Sequence, residues 1–208
     1  MGRLLCAFII LLGTTSVVIA ARNEENNLTD LISSIMSQNY PTDFYEVIIA
    51  NDRSSDNSTN ILNNLSQDYD NLSVIHINET PLGWASKKWA LNLAIQKARG
   101  DVILQTDSDC IIRKNWISAM VNEFHQDNVG FTCGSSPLIS YNNEILSSFF
   151  KLDSLSTDAF AAGCINYTFP LTCTGRNMGF LKRAFEDVSG YDGISDIPSG
   201  DDDLLLHK

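Results

Sequence analysis

The chain has 208 residues and a formal net charge of −11, with 44% hydrophobic and 19% charged residues. This length and composition are typical of one globular domain that buries its own core. The acidic balance argues against a nucleic-acid partner, because binding a polyphosphate backbone needs clustered lysine and arginine. The five cysteines have no C-x-x-C spacing. Their pattern argues against a disulfide framework or a structural zinc site and favours a reducing compartment.

The chain begins with an apolar run from Leu4 to Leu12, preceded by Arg3. The run is too short to cross a bilayer, which needs about 20 apolar residues. It is similar to the apolar part of a signal peptide, but the segment after it reads as a first core strand, so cleavage would leave almost no lead-in. We therefore interpret residues 1–15 as the remnant of a membrane-proximal helix, or as a short buried or interfacial segment.

Short apolar runs alternate with helical patterns in the first half of the chain. The runs predict buried strands, and the apolar residues spaced three and four apart predict helices between them. The predicted strands lie at 17–20, 47–50, 72–77 and 102–104, and the predicted helices at 28–36, 61–65 and 87–99. This alternation predicts an α/β fold with a mostly parallel central sheet and helices on both faces. The less regular second half predicts helices at 116–124 and 144–155, and strands at 129–133 and 171–174.

Polar segments follow the predicted strands, where sheets of this kind bind their ligands. Asp107 and Asp109 stand two residues apart after the fourth strand. Residues i and i+2 of an extended chain point the same way, so both carboxylates can face one cation. Their oxygens suit Mg²⁺ or Mn²⁺, and such a cation can stabilise a departing diphosphate. D-x-D alone is more often a surface loop or helix cap, but its place after a buried strand favours the metal site.

Three further polar groups have both a functional and a structural interpretation. Asp52 follows the second strand, where it could accept hydrogen bonds from a base or ribose, or serve as a turn residue. Lys87 begins the third helix, where it could meet phosphate oxygens or be a solvated lysine. The run Asp201-Asp202-Asp203 could gather around a cation, or cap a helix that begins at Leu204.

Taken in order, these segments resemble the family 2 glycosyltransferases, which have the GT-A fold. The resemblance covers residues 16–208, where we expect one GT-A domain. Gly200-Asp201-Asp202 is similar to the family's G-E-D, with Asp in place of Glu. Members usually continue with further helices, often transmembrane, and some carry a Q-x-x-R-W motif that does not occur here, so we expect the domain to be incomplete at its C-terminal end. The other matching segments are the opening strand and loop at 16–25, the second strand and its Asp at 46–58, K-x-x-A-L-N at 87–92, the strand with D-x-D at 100–109, and G-x-N at 175–177.

The resemblance also implies a role for each matching position. Asp202 is implied to be the catalytic base, with Asp201 beside it, and Asp109 with Asp107 is implied to ligate Mn²⁺ or Mg²⁺. Arg176 and Asn177 would line the acceptor side. The residues implied to bind the nucleotide sugar are Ala20, Arg22, Glu24, Asp52, Lys87 and Asp107.

The implied reaction is an inverting transfer of a sugar from a nucleoside-diphosphate sugar to an acceptor hydroxyl. The acceptor would be a glycan or a lipid-linked molecule in cell-surface glycan or glycolipid synthesis. The protein would then work in the cytoplasm or at the cytoplasmic face of a membrane, with possible membrane association.

The sequence also bears on three other functions that use a nucleotide or a nucleotide sugar. A sugar-phosphate nucleotidylyltransferase calls for a glycine-rich, basic loop after the first strand, but Arg22-Asn23-Glu24-Glu25 has no glycine and two acids. A dehydrogenase needs G-x-G-x-x-G after a strand, and the sequence has none. A non-catalytic module that binds nucleotide sugars is disfavoured by Asp109 and Asp202, which catalysis would need, but it stays open because we expect the domain to be incomplete.

Overall fold

A single six-stranded sheet forms the centre of the computed structural model, which describes residues 13–138, 144–166 and 169–208. The strand order is β3-β2-β1-β4-β6-β5. Apart from residues 13–15, the predicted N-terminal segment lies outside the described residues. The strands are β1 Thr15–Ala21, β2 Tyr45–Asp52, β3 Leu72–Ile77, β4 Val102–Gln105, β5 Phe131–Cys133 and β6 Met178–Leu181.

Helices cover both faces of this sheet. Side chains alternate along a strand, so Val17 and Ile19 of β1 face one layer and Val18 faces the other. All three are fully buried, which explains why β1 is apolar without interruption. Residues of α1, α2 and α4 pack on the first face, and residues of α3 and α6 pack on the second. The helices are α1 Leu28–Met36, α2 Ser58–Asp68, α3 Ser86–Lys97, α4 Trp116–Glu123, α5 Glu144–Asn166, α6 Lys182–Asp187 and α7 Asp203–Leu206.

The direction of the strands decides which loops meet. β1 pairs in parallel with β2 and with β4, and β2 pairs in parallel with β3. β6 runs antiparallel to both β4 and β5. The mostly parallel sheet is therefore confirmed. The loops after β1, β2 and β4 share one edge, and because β6 is antiparallel, the segment that leads into it reaches the same edge.

The second half departs from the predicted elements at two places. The strand predicted at 171–174 is wrong, and the strand β6 begins at Met178 instead. The backbone N–H of Cys173 donates to Asp203 Oδ1 at 2.8 Å and that of Gly175 to Asp202 Oδ2 at 2.7 Å, so this segment supports the acidic cluster rather than the sheet. Helix α5 also runs beyond the predicted range of 144–155 and ends at Asn166.

Candidate active site

Asp52 ends β2 at the carboxyl edge of the sheet and is buried. Its carboxylate accepts two hydrogen bonds from the next residue, Arg53, through Nε at 2.7 Å and Nη2 at 3.1 Å. The guanidinium of Arg22 lies 3.9 Å from the same carboxylate. The structure thus brings the predicted pair Arg22 and Asp52 together, and it adds Arg53, which the sequence patterns did not indicate.

Arg53 has a backbone conformation that is unfavourable for a residue other than glycine. Its φ is 52°, in the left-handed region that non-glycine residues rarely adopt. Besides Asp52, its Nη2 donates to Ser86 Oγ at 2.7 Å, at the start of α3. The hydrogen bond with Asp52 raises the pKa of Arg53, which is charged at any ordinary pH. Arg53 therefore links the end of β2 to the beginning of α3.

The loop after β1 is held by polar contacts with α2 and within the loop itself. The backbone N–H of Glu24 donates to Ser58 Oγ at 2.9 Å, and its carboxylate accepts from Asn27 Nδ2 at 2.7 Å. Ala20 is half-buried and pairs in register with Ala50 of β2. Glu24 thus shapes the start of α1, and what Ala20 can offer to a ligand is backbone.

Lys87 connects two acidic segments that are far apart in sequence. Its Nζ lies 2.9 Å from Asp107 Oδ1 and 3.2 Å from Asp201 Oδ2. Burial lowers the pKa of Lys87, but the attraction of Asp201 and Asp107 outweighs burial and the net pKa is raised. The ammonium therefore stays charged between the two carboxylates.

The D-x-D residues lie beyond the end of the strand. β4 ends at Gln105, Asp107 is partly exposed, and Asp109 lies exposed in the turn that follows. The extended backbone expected for this pair is therefore not found. Within the described ranges, no group of three or more His, Cys, Asp or Glu side chains could hold a metal ion. Carboxylate oxygens, which both residues supply, are the ligand type of a cation such as Mg²⁺ that takes one or two protein oxygens and completes its shell with phosphate oxygens.

The acidic run near the chain end is held by backbone amides. Asp202 Oδ2 accepts from the N–H of Gly175 at 2.7 Å, and Asp202 Oδ1 accepts from the N–H of Asp203 at 2.7 Å. The second bond makes Asp202 the N-cap of α7, as the helix-cap interpretation predicts. Asp201 is buried, and its Oδ2 accepts from Gln105 Nε2 at 2.9 Å.

The two predicted acceptor-side residues differ in their contacts: Asn177 bonds through its side chain, and Arg176 bonds Thr106 through its backbone carbonyl. Asn177 Oδ1 accepts from Trp116 Nε1 at 2.8 Å, and its Nδ2 donates to the carbonyl of Ser135 at 2.9 Å. Asn177 thus joins α4 to the loop after β5. Arg176 is half-buried, and its carbonyl accepts from Thr106 Oγ1 at 2.9 Å. This bond places the G-x-N segment beside the end of β4.

Two buried polar residues near the acidic run were not predicted. Lys88 is 1% exposed, and its Nζ donates to the carbonyl of Ile194 at 2.8 Å. Burial lowers the pKa of Lys88, against the attraction of Asp201 and other nearby acids. Burial also raises the pKa of Tyr191, and Asp201 and Asp202 add to that effect. No motif indicated these contacts, because they depend on how the loop before α7 folds against α3.

Comparison with known proteins decides the family of this site. The sequence model for Glycosyl transferase family 2 matches residues 16–188. The chain belongs to glycosyl transferase family 2. One relative is the probable glycosyltransferase YdaM of Bacillus subtilis, which is 28% identical to this chain over 179 residues. These residues are 85% of this chain and 42% of YdaM. Beta-monoglucosyldiacylglycerol synthase of Trichormus variabilis is 32% identical over 115 residues, 55% of this chain and 24% of the synthase.

A solved structure shows the fold of the family 2 chain. The mannosyltransferase PcManGT from Pyrobaculum calidifontis, in complex with GDP-Man and Mn²⁺, superposes with a TM-score of 0.65 at 20% identity. The likeness covers 88% of this chain and 49% of PcManGT. The expected GT-A fold is thereby confirmed. The chain spans less than half the length of each of these three proteins.

In the described part, every helix is too short or too polar to span a bilayer.

Proposed function

We propose that this chain is the donor-binding and catalytic part of an inverting, metal-dependent glycosyltransferase. It would move a sugar from a nucleoside-diphosphate sugar to an acceptor hydroxyl. One observation carries the proposal: Lys87 lies 2.9 Å from Asp107 and 3.2 Å from Asp201. The K-x-x-A-L-N helix, the D-x-D segment and the G-D-D segment therefore meet at one point, as a shared reaction centre requires.

The donor would lie along the carboxyl edge of the sheet. Asp52, Arg22 and the backbone at Ala20 would hold the nucleoside, because Asp52 is buried at that edge with Arg22 beside it. Glu24 would contribute by fixing the loop that carries Arg22. Lys87 would contact the diphosphate, since its ammonium stays charged beside the D-x-D segment and can offset the negative charge of phosphate oxygens.

Asp107 and Asp109 would hold Mn²⁺ or Mg²⁺. When bound, such a cation supplies charge stabilisation for the departing nucleoside diphosphate. The protein's own residues complete the electrostatics there. Asp107 brings negative charge to the D-x-D turn, and Lys87 partly offsets it with an ammonium at 2.9 Å.

Asp202 would act as the base at the reaction centre. Its two oxygens each accept one backbone N–H, which fixes the carboxylate while each oxygen keeps a lone pair. Asp202 would take the proton as the acceptor oxygen bonds to the anomeric carbon and the bond from that carbon to the diphosphate oxygen breaks. Asp201 is more buried and is engaged by Gln105 and Lys87, so it serves better as an anchor than as the base.

The acceptor would be a glycan or a lipid-linked molecule, and transfer would occur in the cytoplasm or at the cytoplasmic face of a membrane. The Trichormus relative is named for the synthesis of a glucosyldiacylglycerol, which supports a lipid acceptor. Arg176 would face the acceptor, because its segment contacts the end of β4 through Thr106.

Calorimetry tests the donor site directly. Wild type and Asp109→Ala are titrated with uridine and guanosine diphosphates, with and without Mn²⁺. We expect one nucleotide to bind in a metal-dependent way and Asp109→Ala to lose that dependence. Asp68→Ala, an exposed aspartate on α2, serves as the control. If the folded wild type binds neither nucleotide, the proposed donor site is wrong. Binding without turnover of any uridine- or guanosine-diphosphate sugar would favour the non-catalytic module instead.

A further inference from the structure

A glutamine is buried in the sheet directly below the acidic run. Gln105 is the last residue of β4 and is 0% exposed. Its Nε2 donates to Asp201 Oδ2 at 2.9 Å, whereas its Oε1 has no hydrogen-bond partner among the residues that the structure describes. A buried amide with one unpaired polar atom is costly in a core of apolar residues. The bond to Asp201 is the benefit that offsets this cost.

Gln105 closes a ring of contacts around the reaction centre. Gln105 bonds Asp201, Asp201 pairs with Lys87, and Lys87 pairs with Asp107, which follows Gln105 by two residues. Asp201 Oδ2 thus has a neutral donor on one side and a cation on the other. Gln105 is the uncharged member of this ring, so it can orient Asp201 without neutralising it.

The carboxylate of Asp201 is also in close contact with Gly175. A Cβ placed on Gly175 would lie 3.2 Å from Asp201 Oδ2 and 3.3 Å from both Gln105 Nε2 and Asp202 Oδ2. These distances are at the short limit of real contacts, so Gly175 packs directly on the acidic pair. The position of Asp201 is therefore set by Gln105, Lys87 and the backbone of Gly175 together.

We infer that Gln105 is a positioning residue for glycosyl transfer: its amide fixes Asp201, and through Asp201 it fixes the ammonium of Lys87 against the D-x-D turn. This inference rests on the proposed function. Without the amide, Asp201 keeps Lys87 as its partner but loses the contact that sets its rotamer. Lys87 then loses the fixed site that it needs when charge develops on the diphosphate.

The first test replaces Gln105 with an apolar residue of similar volume. Turnover of Gln105→Met is followed as release of nucleoside diphosphate from the nucleotide sugar that wild type uses. We expect kcat to fall roughly tenfold to a hundredfold, as a misplaced group of this kind costs, with little change in KM for the donor. Ser16→Ala is the control, because it removes a buried hydroxyl at the amino end of β1 that bonds Glu46 and not the acidic run. A kcat equal to that of Ser16→Ala overturns the inference.

The second test uses pH and separates positioning from packing. In Gln105→Glu, a protonated carboxyl can donate to Asp201 in place of the amide, whereas an ionised one repels Asp201. We therefore expect kcat of Gln105→Glu, relative to wild type, to fall as pH rises. A ratio as low as that of Gln105→Met at every pH means that a donor at residue 105 does not restore the position of Asp201, and it overturns the inference.

A third measurement separates this inference from the proposed function. A double-mutant cycle of Gln105→Met and Asp201→Ala on the free energy of unfolding reports the contact without any turnover. If wild type has no activity but the cycle shows coupling, the proposed function fails while the contact stands. A cycle without coupling overturns the role of Gln105 whatever the activity.

Discussion

Single residues carry features of this site that motifs do not describe. The sequence located Asp52 at a strand end, but it gave no sign that the next side chain would bond both of its oxygens. Gln105 directly follows the predicted strand at 102–104, and no motif indicates its bond to Asp201. The contact of Arg53 with Asp52 depends on the backbone angles at Arg53, and the contact of Gln105 with Asp201 depends on a loop that is distant in sequence. The spacing of apolar residues carries information on neither.

Arg53→Gly tests how the arginine affects nucleoside binding at the carboxyl edge of the sheet. The change removes an ion pair whose arginine is solvent-exposed and relieves a left-handed φ of 52°. We expect little change in the free energy of unfolding, because glycine adopts this φ freely but adds entropy to the unfolded chain. Because Asp52 is then released, nucleoside diphosphate should bind more tightly in calorimetry.

Asn128→Gly is the control for Arg53→Gly, since it relieves a φ of 70° at an exposed position away from that edge. If Arg53→Gly weakens nucleotide binding while Asn128→Gly does not, Arg53 contacts the nucleotide and does not compete with it.

Lys87→Met tests the ammonium between the carboxylates. The pKa of Lys87 is raised above its ordinary value of 10.5, so its stabilising effect is fully present below that pH and is lost only as pH rises through the higher folded value. We expect Lys87→Met to lower the free energy of unfolding by about 1 kcal/mol, because the 39% exposed side chain is partly screened by solvent. Urea unfolding should show the same loss at pH 7 and pH 9. A loss that disappears between these two pH values, or one matched by the exposed control Lys97→Met, would contradict the pairing.

At the scale of elements, the predictions are closer in the first half of the chain than in the second, although α4 and β5 lie within the predicted ranges 116–124 and 129–133. β3 lies at 72–77 as predicted, and β1, β2 and β4 extend the predicted runs by a few residues. β1, β2 and β4 are buried on both faces, so their apolar runs are unambiguous. β6 has only four residues and includes Gly179, which weakens any strand pattern. The segment at 171–174 alternates like a strand, but its polar atoms bind the acidic run instead.

Gly179→Ala tests why a glycine lies in β6. A Cβ there would meet Leu104 Cδ2 at 2.7 Å and the carbonyl of Ile103 at 3.2 Å, so the buried side chain of Leu104 would have to move and the backbone at Ile103 would have to give slightly. We expect a loss of about 1–3 kcal/mol of unfolding free energy, as overpacked cores show. Gly163→Ala is the matched control in α5, where a Cβ meets nothing within 4 Å and alanine should stabilise the helix by up to about 1 kcal/mol. Equal effects in thermal unfolding would show that Gly179 is not tightly packed.

For the whole molecule, the family assignment and the location of the site follow from the order of the motifs, because a parallel sheet brings the loops after its strands to one edge. The surface does not follow from the motifs. Helix α5 was predicted only in part, and in the structure it leaves large apolar side chains exposed, with Phe149 at 64%, Leu152 at 68% and Phe160 at 58%. Its anchoring contacts include Asp158, which accepts from Ser135 Oγ at 2.6 Å.

These exposed side chains predict how the chain behaves in solution. Apolar patches of this kind favour association, so the chain should self-associate as its concentration rises. Leu152→Gln with Phe160→Gln should reduce that association in sedimentation velocity and change the free energy of unfolding by no more than about 0.5 kcal/mol per site, because neither side chain is packed. Ala161→Gln, on the buried side of the same helix, should instead destabilise the fold without reducing association. If the double variant associates as strongly as wild type, another surface than α5 drives the association.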